Sequence, residues 1–159
     1  MIYSISEHSV VLLEELIVNL KNNLEDLPTS QDLISRHEHI FPNTECEYYD
    51  ITNKDINKKL SIILQKESET PISLHTLTYK QGAVMKRHRD TNSADTFVII
   101  LEDNFEGGVF YLNEEPTQFK KRGDVARYHG DTDFHSVTPI TKGTRKVLVV
   151  WYPKKERLI

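Results

Sequence analysis

His88, Asp90, His135 and Arg145 are the residues of this 159-residue chain whose types and order can do chemistry together. Two imidazoles and one carboxylate, the first two ligands separated by a single residue, form the donor set of a facial non-haem Fe(II) site. Such a site leaves coordination positions open for a cosubstrate and oxygen. Arg145, ten residues beyond His135, carries a guanidinium that can hold an organic acid through two parallel N–H···O bonds. The combination points to an oxygen-activating enzyme.

The elements that must position these residues change character once along the chain. Leu13, Leu16, Ile17, Leu20 and Leu24 recur at helical spacing behind a candidate N-cap, Ser9. Ile56, Leu60, Ile63 and Leu64 do the same behind Thr52, with Asp55 three residues on as a weak capping box. Between them a shorter helix is expected from Ser30 to His37, followed by an irregular stretch from His39 to Asp50 that contains Pro42 and Asn43. From Pro71 onward the pattern is of short strands between turn residues: Ile72–Tyr79, Met85–Asp90, Thr96–Glu102, Gly108–Asn113, Thr117–Lys120, Asp124–His129, His135–Ile140 and Arg145–Tyr152. The expectation is a single domain over residues 1–159, mainly β with N-terminal helices (α+β). A helical support segment, 1–68, buttresses a jelly-roll-like double sheet, 71–153.

Side chains two apart on a strand share a face. His88 and Asp90 therefore point the same way, His135 goes with Val137 and Pro139, and Arg145 goes with Val147, Val149 and Trp151. Tyr79 shares a face with His75 and Leu77 and can offer a phenol to the acid held by Arg145. On interior faces, this parity puts a metal at one mouth of a barrel, with Arg145 reaching in from a neighbouring strand.

Composition narrows the function classes. The hydrophobic fraction is 38% and the charged fraction 28%, as in a globular protein, and the net charge of −4 argues against a nucleic-acid or membrane-surface partner. Cys46 is the only cysteine, so no intrachain disulfide or Cys-based zinc site forms, and a reducing cytoplasm is the expected location. The N-terminus has no basic leader or cleavage signal, and no apolar run approaches the roughly 20 residues of a membrane span.

At these residues the chain resembles the prolyl 4-hydroxylase-like branch of the 2-oxoglutarate- and Fe(II)-dependent oxygenases. The resemblance runs from about Pro71 to Pro153 through Tyr79-Lys-Gln-Gly82, His88-Arg-Asp90, Glu106-Gly107-Gly108-Val-Phe110, Gly123-Asp124, His135-Ser-Val137-Thr-Pro139, Gly143-Thr-Arg145 and Val150-Trp151-Tyr152. Each piece is common by itself; the ordered set is specific. The resemblance implies a double-stranded β-helix, a cupin-like barrel, with Fe(II) on His88, Asp90 and His135. It also implies 2-oxoglutarate as cosubstrate, its distal carboxylate on Arg145 and Tyr79, and ascorbate as accessory reductant. It implies oxidative decarboxylation to succinate and carbon dioxide coupled to hydroxylation. Related halogenases carry a small residue at the carboxylate position, so Asp90 favours oxygenation. Phe110 and Trp151, with Val137, Val147 and Val149, would wall a dry pocket, and His75 would line it.

Two departures from the pattern stand out. Many relatives place a pocket tyrosine on the strand after HxD, where Ile100 stands here. Arg127 stands where an apolar or aromatic residue is usual, and a buried arginine needs a partner. A structural acid is one such partner, and the carboxylate of cosubstrate or substrate is another.

Other features have plainer readings. His37 and His39 form a pair with no third ligand and are expected at the surface, and His129 is expected at the rim. No GK[ST] follows Gly107-Gly108, which excludes a phosphate loop. The substrate is expected to be a protein or peptide side chain, or a free amino acid, because relatives in this branch act on both and on small metabolites. The lip residues Lys86, Arg87, Arg89 and Thr91, Asp131 to Phe134, and the irregular segment His39 to Asp50 would choose it. A cupin-like metal- or ligand-binding module without oxygen chemistry and a small-metabolite oxygenase remain as alternatives. A base-repair oxygenase would need a basic groove that the charge balance disfavours.

Overall fold

The computed structural model describes residues 1–23, 40–42, 45–51, 54–66, 69–90 and 95–153. Twelve strands and two helices are present among them. A six-stranded antiparallel sheet carries β1 (Ile2–Ser4), β9 (Asp124–His129), β5 (Asp95–Glu102), β12 (Arg145–Tyr152), β3 (Ser73–Tyr79) and β2 (Cys46–Asp50), in that spatial order. A four-stranded sheet faces it, in the order β4 (Met85–His88), β10 (His135–Val137), β7 (Phe110–Leu112) and β8 (Glu115–Pro116). A two-stranded ribbon joins β11 (Ile140–Gly143) to β6 (Phe105–Gly107).

The larger sheet separates two cores because its central strands are apolar on both faces. On β5, Phe97, Ile99 and Leu101 pack with Leu148, Val150 and Tyr152 of β12 against the helices. Val98 and Ile100 instead lie beside Val149 and Val147 on the other face and pack with Phe110 and Val137 of the smaller sheet. Helix α1 (Glu7–Asn23) contributes Val10, Leu13 and Ile17, and helix α2 (Lys54–Ile63) contributes Ile56 and Leu60. The interior between the sheets is the double-stranded β-helix barrel, and the helices cover the outer face of its larger sheet.

Several boundaries differ from the sequence expectation. The cap of α1 is Ser6 rather than Ser9: the Ser9 amide donates to the Ser6 Oγ at 3.1 Å, so the helix starts earlier. The 1–68 segment is not helical throughout, since it supplies β1 and β2, and the stretch expected to be irregular ends in β2. Its sequence, Cys-Glu-Tyr-Tyr-Asp, lacks strict alternation because it forms an edge strand whose tyrosines are both half-buried. The expected strand His135–Ile140 divides into β10 and β11 around Pro139, which has no N–H for a ladder. Residues 117–120 form no strand, and the pairing with β7 falls instead to Glu115–Pro116. The expected helix Ser30–His37, the pair His37 and His39, and the positions Leu24, Thr52 and Thr91 lie outside the described residues.

Gly143 closes the turn that launches Arg145 into the barrel. Its φ is +81°, and a Cβ there would lie 2.0 Å from the Asn104 carbonyl oxygen. Backbone strain and a backbone clash coincide at this position, so Gly143→Ala is expected to cost roughly 3 kcal/mol. Chemical denaturation measures that loss.

Candidate active site

His88 ends β4 and His135 begins β10, and the antiparallel register sets them directly opposite each other. Their rings lie 4.2 Å apart between centroids. Asp90 falls just beyond the end of β4, where its amide donates to the Gly130 carbonyl at 2.7 Å. Its Oδ1 lies 3.3 Å from His88 Nε2 and 3.4 Å from His135 Nε2. Each histidine is oriented from behind: His88 Nδ1 lies 2.6 Å from the Lys86 carbonyl oxygen, and His135 Nδ1 lies 3.0 Å from that of Asp133. A carbonyl oxygen only accepts, so both Nδ1 atoms carry the proton, and Nε2 of each ring is the atom turned toward the Asp90 carboxylate. Three electron donors all within 4.8 Å of one another can hold a cation, and such backing of the far ring nitrogen is how metal-bound histidines are fixed. Burial pushes the Asp90 carboxyl up, but bonds to His135 and His88 outweigh it and bring it down to about 2. The group is therefore an anion at neutral pH.

Arg145 faces the same cavity from the start of β12, opposite Tyr79 on β3. It is 1% exposed, makes no ion pair among the described residues, and leaves its Nε without a hydrogen-bond partner. Its guanidinium sits 4.8 Å from the Tyr79 ring centroid and 5.7 Å from that of Phe119. Burial pulls its pKa below the ordinary value, and Tyr79 and Cys46 oppose that pull. A buried cation without an anion is costly, so the pocket is chemically incomplete without one. Burial pushes the Tyr79 phenol up, which keeps its proton available for donation.

The cavity measures about 410 Å³ and contains every residue expected in it except Arg127. His88, Asp90, His135, Arg145, Tyr79, His75, Phe110 and Trp151 all line it. Arg127 lies on the opposite face of β9, the side that carries Val125 into the helix-covered core. Its Nε and Nη2 donate to the Asp95 carboxylate at 3.0 and 2.8 Å, and Lys66 Nζ reaches the same carboxylate at 2.8 Å. The partner is a structural acid, and Arg127 is not a pocket residue. His129 is exposed and does not line the cavity; its amide donates to the Asp133 carboxylate at 2.9 Å.

Sequence reasoning missed Tyr128, and it reached Tyr48 and Phe41 only as part of the lip segment His39 to Asp50, without singling them out. Tyr128 is the inward neighbour of Arg127 on β9, with its ring 4.8 Å from that of His135. It provides the phenol that Ile100 cannot, from the strand beside β5. Strand parity contained this signal once Arg127 was placed outside. Tyr48 and Phe41 carried no such signal, because they come from β2 and from the chain before it.

His75 stacks on Tyr48 at 4.6 Å and meets Trp151 edge-on at 5.3 Å. Burial lowers its pKa from 6.5 to about 4. Between those values the unfolded chain binds a proton that the folded chain refuses, so stability is intact above pH 6.5 and is lost as pH falls toward 4. His75→Leu is expected to flatten this acid limb, worth on the order of 3 kcal/mol, in a series of denaturation curves from pH 7 to 4.

By sequence, no family model and no curated protein matches the chain. The fold is that of the prolyl hydroxylases among the 2-oxoglutarate/Fe(II) oxygenases, and three solved structures define the likeness. A prolyl-4-hydroxylase from Pseudomonas putida aligns with TM-score 0.66 and 15% identity over 98% of this chain and 92% of that one. The viral collagen prolyl hydroxylase of Paramecium bursaria Chlorella virus-1, in its 2-oxoglutarate complex, aligns with TM-score 0.65 and 11% identity over 98% and 96%. A Trichoplax adhaerens prolyl hydroxylase, bound to a peptide of the hypoxia inducible factor oxygen degradation domain, aligns with TM-score 0.69 and 16% identity over 96% and 82%. Among the described residues, no helix is long and apolar enough to cross a membrane.

Proposed function

We propose that this chain is an Fe(II)- and 2-oxoglutarate-dependent dioxygenase that hydroxylates an organic substrate and releases succinate and carbon dioxide. One observation carries the reading: a 1% exposed guanidinium with no counter-ion among the described residues opens onto the same cavity as a converging His-Asp-His donor set. A metal-binding module without oxygen chemistry accounts for the triad but not for the stranded Arg145. A dicarboxylate cosubstrate accounts for both, with one end at the metal and the other on the arginine.

His88, Asp90 and His135 would hold the iron, whose chemistry with 2-oxoglutarate is the activation of oxygen for C–H hydroxylation. Arg145 would take the distal carboxylate of 2-oxoglutarate by charge-assisted hydrogen bonds, with Tyr79 donating a further one. Asp90 supplies the one negative charge of the ligand set, and the carbonyls of Lys86 and Asp133 keep both imidazoles in the ligating tautomer. Val137, Val147, Val149, Phe110 and Trp151 keep the space between these groups apolar, which strengthens the Arg145 contact and limits side reactions. The substrate reading is a peptide side chain of the prolyl type, with a free amino acid second. The peptide-bound Trichoplax structure supports the first by analogy of fold.

The test is anaerobic reconstitution with Fe(II), followed by admission of oxygen with 2-oxoglutarate and measurement of succinate. Wild type is expected to turn over slowly even without substrate, and His88→Ala not at all. Bound iron with no succinate under any substrate pool would favour the binding-module reading.

A further inference from the structure

At the mouth of the cavity, the residue between two of the proposed ligands is a charge with no ion-pair partner among the described residues. Arg89 lines the cavity, is exposed, and makes no ion pair among the described residues. Its guanidinium lies 4.7 Å from the centroid of the Phe134 ring. Arg87 lies over the same ring at 3.7 Å, but its charge is taken by Glu114 at 2.8 Å. The platform is fixed. The Phe134 amide donates to Asn113 Oδ1 at 3.0 Å, the Asn113 amide donates back to the Phe134 carbonyl at 2.8 Å, and Asn113 Nδ2 donates to the Asp133 carboxylate at 2.8 Å.

We propose that Arg89, held on Phe134, is the receptor for a carboxylate of the substrate. A guanidinium stacked on an aromatic face keeps its N–H fork free in the plane, and that fork matches a carboxylate bidentately. Arg145 is sunk at 1% exposure and suits the cosubstrate, whereas Arg89 stands at the open end, where the second reactant enters. The neighbouring Asp90 anion disfavours a doubly charged phosphate, and a singly charged carboxylate avoids most of that repulsion. The substrate class is then a carboxylate-bearing one: a free amino acid held by its α-carboxylate, or a peptide with an acidic residue beside the target. This inference rests on the oxygenase reading of the site for the meaning of substrate, but its test does not need turnover.

Trp151 is the single tryptophan of the chain and lines this cavity, so its fluorescence reports occupancy. Fe(II)-loaded, anaerobic protein saturated with 2-oxoglutarate is titrated with L-proline and L-leucine against their primary amides. In a second arm it is titrated with a blocked Glu-Pro-Glu peptide against its Gln-Pro-Gln counterpart. In at least one arm the acid is expected to bind about tenfold or more tighter than its amide partner, the scale of a charge-assisted hydrogen bond. Arg89→Gln is expected to bring that ratio close to one with the amide probe's affinity and the Fe(II) affinity unchanged, and Arg89→Lys to keep part of it. The arm that discriminates tells a free amino acid from an acidic peptide. The proposal is overturned if Arg89→Gln keeps the wild-type ratio, or if no acid in either arm outbinds its amide partner. Acid preference without succinate formation would count against the oxygenase reading and leave the receptor standing.

Discussion

Replacing Arg145 with methionine is expected to make the protein more stable and the enzyme nearly useless. The guanidinium is 1% exposed and has no counter-ion among the described residues, so in the empty protein it carries a desolvation cost that none of them offsets. Methionine fills similar space without that cost, and the metal-free variant should gain about 1 kcal/mol. The KM for 2-oxoglutarate should rise roughly 100-fold or more, since one partner of a buried charge pair has been deleted. Thermal stabilisation of wild type by added 2-oxoglutarate should vanish with it. Calorimetry with and without 2-oxoglutarate, alongside succinate kinetics, reads both halves. A structural salt-bridge residue would move the opposite way, losing stability on substitution.

The second large effect falls on Asp90. Among the three proposed ligands it alone carries negative charge, and both imidazole Nε2 atoms are turned toward its Oδ1. Asp90→Ala leaves two neutral donors, so Fe(II) affinity should fall by more than about 100-fold, the upper end of the loss when only a partner of a ligand is removed. Succinate formation should drop below detection. The fold should survive, because Asp90 lies beyond the end of β4 and its backbone bond to Gly130 does not need the carboxylate. Metal titration by calorimetry, with circular dichroism as the fold control, checks each part. Unchanged iron affinity would remove Asp90 from the site.

Much of the barrel was legible from local patterning. The strand cores of β3, β5, β9 and β12 were placed to within a residue or so, because a strand buried on one face or both must show its apolar period whatever surrounds it. Edge elements were not legible. β1 and β2 obtain their stability from the ladders of β9 and β3, so their own residues need no pattern, and two half-buried tyrosines read as loop. The division of β10 from β11 was legible in Pro139, which has no N–H for a ladder.

The same distinction separates the site residues. His88, Asp90, His135 and Arg145 could be singled out by type, spacing and order, since a metal and a carboxylate each demand particular donors. Strand parity alone put Tyr79, His75 and Trp151 on faces able to meet them. Arg127 shows the limit: it shares a face of β9 with Val125, but which side of β9 faces the barrel depends on the helices that cover the other side. Its Asp95 partner sits on β5, and the second cation on that carboxylate, Lys66, comes from beyond α2. Tyr128 entered the pocket for the same reason that Arg127 left it. The chemistry of single residues was therefore determined by the sequence itself. The inward face of each strand, the counter-ion missing from Arg145 and the partner found by Arg127 were decided by tertiary structure, because burial and charge pairing between distant segments exist only after the two sheets and the helices have packed.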